Sequence, residues 1–255
     1  MGVMKLVTDR FRFAKTRNMR LRPFHLTRLI GSVLVPGYRF VWPQLDWWKN
    51  GPFNDYLAQF GELKGMNTQR RWALYQLQRL TASVPGDTAE CGVYTGAGSY
   101  SILKVNEASG LKKTHMVFDS FAGLSDPSVE DGAHWEGGDL SCSLEIVKEN
   151  LHEFDDVLYF KGWIPTRFAE VAGRRFSFVH IDVDLYEPMR NSFAFFYERL
   201  NLGGIIVRDD YGFSTCPGAT RAIDEHLEDK KEKMISLSGG GGFVIKGTET
   251  AGALF

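Results

Sequence analysis

Five carboxylates fall where a chain can put them to chemical use: Glu90, Asp119, Asp182, Asp209 and Asp210. Glu90 opens the run Glu90-Cys91-Gly92-Val93-Tyr94-Thr95-Gly96-Ala97-Gly98. Glycines there let the backbone approach a ligand closely and adopt positive φ. A dinucleotide turn reads GxGxxG, because pyrophosphate must reach a helix N-terminus. Here the order is Gly92-x-x-x-Gly96-x-Gly98, with an acid two residues ahead of the first glycine. An acid in that place repels pyrophosphate and can pair with an ammonium. Asp119 follows 29 positions after Glu90, where a carboxylate at the next strand tip can accept both hydroxyls of a ribose. A ligand with an amino-acid head and a nucleoside tail suits both acids, and S-adenosylmethionine is such a ligand. A tight turn with a capping acid would account for the same residues without any ligand.

The other three acids belong to His180-Ile181-Asp182-Val183-Asp184-Leu185-Tyr186 and Arg208-Asp209-Asp210-Tyr211. Asp182 and Asp209 are 27 positions apart, the length of a strand–helix–strand unit. Neighbouring strands would set the three side by side at the rim of a sheet. Packed carboxylates repel one another unless a cation neutralises them, and oxygen donors favour a hard divalent ion such as Mg²⁺. Helix capping would explain one or two of them. Asp184 reads as a cap or salt-bridge partner, and His180, inside its strand, as a satisfied core histidine. Residues 119–140 carry no predicted element, and long segments of that kind often form lids. Within it, His134-Trp135-Glu136 could cover a substrate, or Trp135 could anchor the loop.

The elements that must position these groups alternate. A helix starts at Thr68; its apolar positions Trp72, Leu74, Tyr75, Leu77 and Leu80 follow a 3.6-residue period, and Pro85-Gly86 ends it. Strands are predicted over 88–93, 115–118, 157–160, 176–181 and 204–207. Helices are predicted over 99–108, 143–153, 166–171, 188–200 and 217–232, the last opened by Pro217. Residues 234–237 and 243–246, separated by four glycines, close as an antiparallel hairpin. This order predicts an α/β fold with a doubly wound, mostly parallel sheet covered by helices on both faces. Ligands bind beyond the carboxyl ends of such strands, where Glu90, Asp119, Asp182 and Asp209 fall.

With 255 residues, 44% of them hydrophobic, the chain can build a core without disulfide or metal. A net charge of −1 argues against a dedicated nucleic-acid binder. Cys91, Cys142 and Cys216 are too scattered for a disulfide framework or a Cys-type zinc site, so a reducing, cytoplasmic setting is expected. The uncharged, largely apolar run 29–38 is too short to span a bilayer and too far from Met1 to read as a secretory signal. Charge is uneven. Residues 1–40 hold nine basic side chains against one acid, Asp9, with Phe11, Phe13 and Phe24 among them. Such an arm either meets an anionic surface, membrane headgroups included, or extends into solvent and packs on the body or a neighbouring subunit. Residues 41–65, rich in Trp, Pro and Gly, form a linker. The expected division is arm and linker over 1–64 and a cofactor-binding domain over 65–255.

Four motifs in this order, Glu90-Cys91-Gly92-Val93-Tyr94, Phe118-Asp119-Ser120-Phe121-Ala122-Gly123-Leu124, Asp182-Val183-Asp184-Leu185-Tyr186 and Gly203-Gly204 through Asp209-Asp210-Tyr211, resemble the macrocin O-methyltransferase (TylF-like) family over about 65–246. The resemblance implies a Rossmann-like, S-adenosylmethionine-dependent methyltransferase; characterised members methylate sugar hydroxyls of antibiotics. It implies cofactor contacts from Glu90, Gly92, Gly96 and Asp119, with Tyr94, Ser99 and Ser120 in or beside the same motifs, and from Met66, Thr68, Gly162 and Trp163. It also implies a divalent cation, Mg²⁺ or similar, on Asp182, Asp209 and Asp210. Asp182, counted with the cofactor contacts as well, is the expected base for the hydroxyl proton, with Asp184 and His134 as alternatives. The implied partners are a small-molecule or glycan acceptor and a second copy of the chain in a homo-oligomer, with peripheral membrane contact open to the basic arm. The arm and the glycine run 239–242 depart from the family pattern. Two other classes share the architecture. An NAD-linked or nucleotide-binding oxidoreductase lacks support in the glycine spacing, and a non-catalytic binding relative would be expected to lose acids from the cluster.

Overall fold

Five short runs rich in β-branched, aromatic and small residues become parallel strands: β1 (Asp87–Cys91), β2 (His115–Asp119), β3 (Val157–Lys161), β4 (Phe176–Ile181) and β5 (Leu200–Arg208). With β6 (Ile235–Ser236) and β7 (Gly242–Ile245) they form one sheet in the order β3-β2-β1-β4-β5-β7-β6. β7 runs antiparallel to both β5 and β6. The computed structural model describes residues 22–34, 45–63 and 67–252. The chain divides into two units, Met1–Ala58 and Gln59–Phe255. The first carries α1 (Arg22–Leu34), a 3₁₀ turn over Asp46–Lys49 and α2 (Gly51–Gln59); the sheet lies in the second. Its helices are α3 (Thr68–Arg79), α4 (Ala97–Ala108), α5 (Leu144–Asn150), α6 (Tyr186–Tyr197) and α7 (Pro217–Leu227).

Side chains alternate across a strand, and the register puts two different layers on the two faces. Phe178, Ile205 and Val207 pack against Leu74 and Leu77 of α3 and Ile102 of α4. Their neighbours of opposite parity, Val179, Ile181 and Ile206, pack with Met189, Phe193 and Phe196 of α6 and Ala219, Ala222 and Ile223 of α7. Glu90 pairs with His180 in register, and His180 with Val207. By the same count Glu90, His180, Asp182 and Asp209 share the α3–α4 parity, whereas Arg208 and Asp210 share the α6–α7 parity.

Several element boundaries differ from the sequence expectation for local reasons. Asn67, not Thr68, precedes the first turn of α3. That helix ends at Arg79, well before Pro85, where Leu80 N–H turns to Leu77 O and the Thr81 hydroxyl takes Gln78 O. α6 begins two residues before Pro188 because Asp131, from the preceding loop, accepts from Tyr186 N–H at 2.6 Å. Leu200 belongs to β5, paired with Phe176, and not to a helix. α7 stops at Leu227, whose carbonyl, with that of Glu228, is taken by Lys233 Nζ. The stretch expected as a helix near 166–171 is a 3₁₀ turn, Phe168–Val171.

Under α3 and α4 runs a buried polar row. Gln78 donates to Asn106 Oδ1 (3.2 Å), Asn106 to Thr88 Oγ1 (2.8 Å), Thr88 meets His115 Nδ1 (2.9 Å), and His115 Nε2 meets Ser99 Oγ (2.9 Å). Burial pushes the His115 imidazole down to about 4. The unfolded chain therefore takes up a proton near pH 6.5 that the folded chain refuses until pH 4. Stability falls as pH drops through that window, by up to about 1.4 kcal/mol per pH unit from this group. Denaturant titrations from pH 7 to pH 4 should show a shallower loss in His115→Gln than in the parent. Parallel slopes would mean that His115 does not titrate in this way.

Candidate active site

The chain winds outward from β1 through β2 to β3, then crosses back to β4. The crevice outside β1 and β4 is thus a topological switch point, where ligands bind in such sheets. A pocket of about 190 Å³ opens there. Gly92, Tyr94, Asp119, Ser120, Trp163 and Asp182 line it, together with Asp184, Leu185 and the loop residues Gly123, Leu124, Ser125 and Leu140. Six of the residues expected from sequence thus meet in one place. Gly92 is required by its neighbour: at φ +75° a Cβ would lie 1.8 Å from the Asp182 carbonyl oxygen. Asp182 N–H donates to Cys91 O and Gly92 N–H to Phe118 O, which ties the ends of β4, β1 and β2 together. Tyr94 holds φ +46° and leaves half its surface open, and Gly96 at φ +90° starts α4.

Asp119 accepts from Val93 N–H (2.8 Å) and Phe121 N–H (2.6 Å), one to each oxygen, so its carboxylate is fixed while lone pairs remain for a ligand. Burial raises its pKa against those bonds. Ser120 closes the following turn through Gly123 O and Ala122 N–H. Gly162 N–H donates to Asp119 O, and Trp163 beyond it is half exposed at the pocket wall.

Glu90 and Ser99 lie behind the pocket, not in it. Glu90 is 2% exposed, its two oxygens taken by His180 Nδ1 (2.7 Å) and the Ser99 hydroxyl. Burial alone would raise the Glu90 pKa, and those hydrogen bonds more than reverse it. The Glu90 carboxylate is thus held on both oxygens by protein groups. Gly98 must be glycine here, because a Cβ would lie 2.0 Å from Glu90 Oε1. Gly96 and Thr68 do not line the pocket either; Thr68 is buried and its hydroxyl donates to Glu62 O. Met66 falls outside the described residues.

The expected acid trio is divided between two sets of possible metal donors. Asp182 and Asp209 draw together with His180, and Asp210 with Asp184 and Cys216, each set with ligand atoms within 4.8 Å of one another. For Asp209 and Asp210 the alternation of strand faces explains it, since a one-residue step changes side. Two cations that the sequence reading missed stand among the acids. Arg70, on the first turn of α3, pairs with Asp209 Oδ2 and lies 3.8 Å from Asp210 Oδ1. His180 is fully buried, with Nε2 3.5 Å from Asp209 Oδ1 and no closer partner among the described residues. Burial opposes its charge, but Asp209 and Glu90 outweigh that and push it up to about 10. It is buried and hydrogen-bonded as a core histidine is expected to be, and it also links Glu90 to Asp209.

Asp209 stays well below the usual carboxylate range, because His180 and Arg70 overcome its burial. Burial and the neighbouring acids raise Asp182 well above it, and bring Asp184 and Asp210 up to about 7. Asp184 neither caps α6 nor forms a salt bridge among the described residues. It holds φ +57°, and Cys216 Sγ donates to it at 3.5 Å. The loop expected as a lid is anchored: Trp135 Nε1 donates to Cys216 Sγ, Asp131 is buried under α6, and His134 is exposed against Trp135. Its two ends, and not its tip, line the pocket.

A sheet of this order, with its ligand crevice between β1 and β4 and an antiparallel β7 at the far side, defines a Rossmann-like methyltransferase fold. The crystal structure of CalS11, calicheamicin methyltransferase, is similar over 92% of this chain and 96% of that chain (TM-score 0.65, 19% identity). That of the O-methyltransferase NovP is similar over 70% and 79% (TM-score 0.56, 24% identity). At these identities the likeness is one of fold. Residues 68–237 match the macrocin-O-methyltransferase (TylF) family, and the chain belongs to that family. It is 30% identical over 152 residues to 8-demethyl-8-(2,3-dimethoxy-alpha-L-rhamnosyl)-tetracenomycin-C 4'-O-methyltransferase of Streptomyces olivaceus, covering 55% of this chain and 58% of that protein. It is 28% identical over 170 residues to demethyldecarbamoylnovobiocin O-methyltransferase of Streptomyces niveus, covering 61% and 64%. The matched stretch spans about three fifths of the length of these curated relatives.

Proposed function

We propose that this chain is an S-adenosylmethionine-dependent O-methyltransferase acting on a sugar hydroxyl of a glycosylated small molecule or glycan, with Mg²⁺ or a similar divalent cation. The observation that carries the reading is one pocket lined by Gly92, Asp119, Asp182 and Asp184 together. Asp119 would accept the ribose hydroxyls of the cofactor, with the Gly92–Tyr94 turn against the rest of it. The cofactor supplies a methyl group already activated as a sulfonium. Asp182 and Asp209 would hold the cation, with Asp210 as an adjoining donor. The donor set fits, since Asp210 Oδ2 is buried and unpartnered among the described residues. When bound, such an ion stabilises negative charge developing on the acceptor oxygen.

Asp184 then suits the role of base better than Asp182. It faces the same pocket, is engaged by only a weak thiol donor, and need not serve as a ligand as well. The residues from 65 onward carry this chemistry in the proposal, the chain works in the cytoplasm, and it assembles as a homo-oligomer. Among the described residues no helix is long and apolar enough to cross a membrane.

Calorimetry with S-adenosylmethionine and with NAD separates this reading from an oxidoreductase. Binding of NAD alone would overturn it. Methyl transfer to a sugar acceptor before and after exhaustive chelation tests the cation, and full activity in metal-free protein would remove it. Asp119→Ala should weaken S-adenosylmethionine by about tenfold or more, since paired charged hydrogen bonds are worth roughly 1.5–3 kcal/mol. Unchanged affinity in that variant would take Asp119 out of the site.

A further inference from the structure

We propose that α1 is an interfacial helix that seats the protein on an anionic lipid surface. Leu26, Ile30, Val33 and Leu34 are 45–74% exposed. Their spacing, i, i+4, i+7 and i+8, places them on one stripe of the helix. Thirteen residues reach about 20 Å at 1.5 Å per residue, short of a bilayer core, so such a helix lies in the interface instead of crossing it.

Charge selects the surface. The first forty residues carry nine basic side chains and one acid, which leaves twenty-one basic and thirty acidic residues in the remainder. The arm is thus strongly cationic, while the rest of the chain has a net charge of −9 and would be held off the same lipids. Each basic residue near an anionic membrane contributes about fivefold to binding. The apolar stripe adds burial that a headgroup-only contact lacks. Tyr38, Phe40 and Trp42 follow α1 in sequence, residue types that favour the membrane–water interface. The lipid contact stands independently of the reaction.

Co-sedimentation of the full chain with vesicles tests this, using phosphatidylcholine alone and phosphatidylcholine mixed with phosphatidylglycerol. The expected result is at least tenfold stronger binding to the anionic vesicles, weakened by high salt. Leu26→Asp with Ile30→Asp should remove most of it, while S-adenosylmethionine affinity, or the melting temperature if no cofactor binds, stays unchanged. A parent protein that remains in the supernatant with anionic vesicles overturns the proposal, as it would if the basic arm folds onto the acidic body. Equal vesicle binding by the double variant overturns the role of the helix face. A dimer in sedimentation velocity that the same variant breaks, without vesicle binding, would assign the stripe to self-association instead.

Discussion

Asparagine at position 184 is expected to lower turnover by about a hundredfold or more, the usual scale for loss of a general base, with cofactor and cation affinity unchanged. The substitution is well matched to the site. Asn keeps the size of Asp and tolerates the left-handed backbone at φ +57°, so the pocket wall should keep its shape while the proton acceptor is lost. Asp182→Asn makes the contrast. Asp182 lies with Asp209 and His180, so its loss should weaken the cation first and turnover as a consequence. Raising the cation concentration should then recover part of the activity of Asp182→Asn and none of that of Asp184→Asn. If Asp184→Asn turns over at the parent rate while Asp182→Asn is inactive with cation bound, the base is Asp182.

How far the sequence led can be judged from these same residues. Most of the parallel strands were legible because they are short apolar runs closed by glycine or aspartate. The carboxyl ends of those runs are the points that the fold brings together around the pocket. Asp119 and Gly92 followed from that logic alone. What the reading lacked was strand parity beyond the last paired residue. Three acids at two neighbouring strand ends look like one cluster until the alternation of faces sends Asp209 toward α3 and Asp210 toward α7. The signal for His180 was present: it stands level with Glu90 in the parallel register, and a buried acid beside a buried histidine is a pair, not two separate residues.

Arg70 had no comparable signal. Nothing in a helix that begins Thr68-Gln69-Arg70-Arg71 says which arginine turns to the sheet. Arg71 pairs with Glu62 at 2.9 Å, and Arg70 reaches Asp209, a partner 139 positions away. Asp131, which caps α6 from a loop 55 residues earlier, was hidden for the same reason. Contacts of this range depend on how helices are laid over the sheet, which a local pattern does not contain.

Methionine in place of Arg70 is expected to raise divalent-cation affinity at least tenfold while making the cation-free protein less stable. Arg70 Nη1 lies on Asp209 Oδ2, its Nη2 meets Asn67 Oδ1, and the guanidinium sits 5.1 Å from the Phe213 ring centre. Asp182 and Asp210 also favour its charge. It therefore fills the electrostatic role that the proposed ion would take. An added ion would bring a further positive charge close to Arg70 on Asp209: unit charges 4 Å apart repel by about 4 kcal/mol at an effective dielectric of 20. Cation binding must include the displacement of Arg70, and the apparent affinity falls by the fraction of protein in which it has moved away. Methionine keeps an apolar stem beside Phe213 and removes only the competing charge. Without that charge or the ion, Asp209 and Asp210 are left to repel, and stability should fall by roughly 1–3 kcal/mol, the scale for losing a charged hydrogen bond. Calorimetric titration with Mg²⁺ and melting curves with and without it measure both effects, and the stabilisation by Mg²⁺ should be larger in the variant than in the parent. Equal or weaker Mg²⁺ binding in Arg70→Met would show instead that Arg70 holds the acids in the arrangement the ion needs.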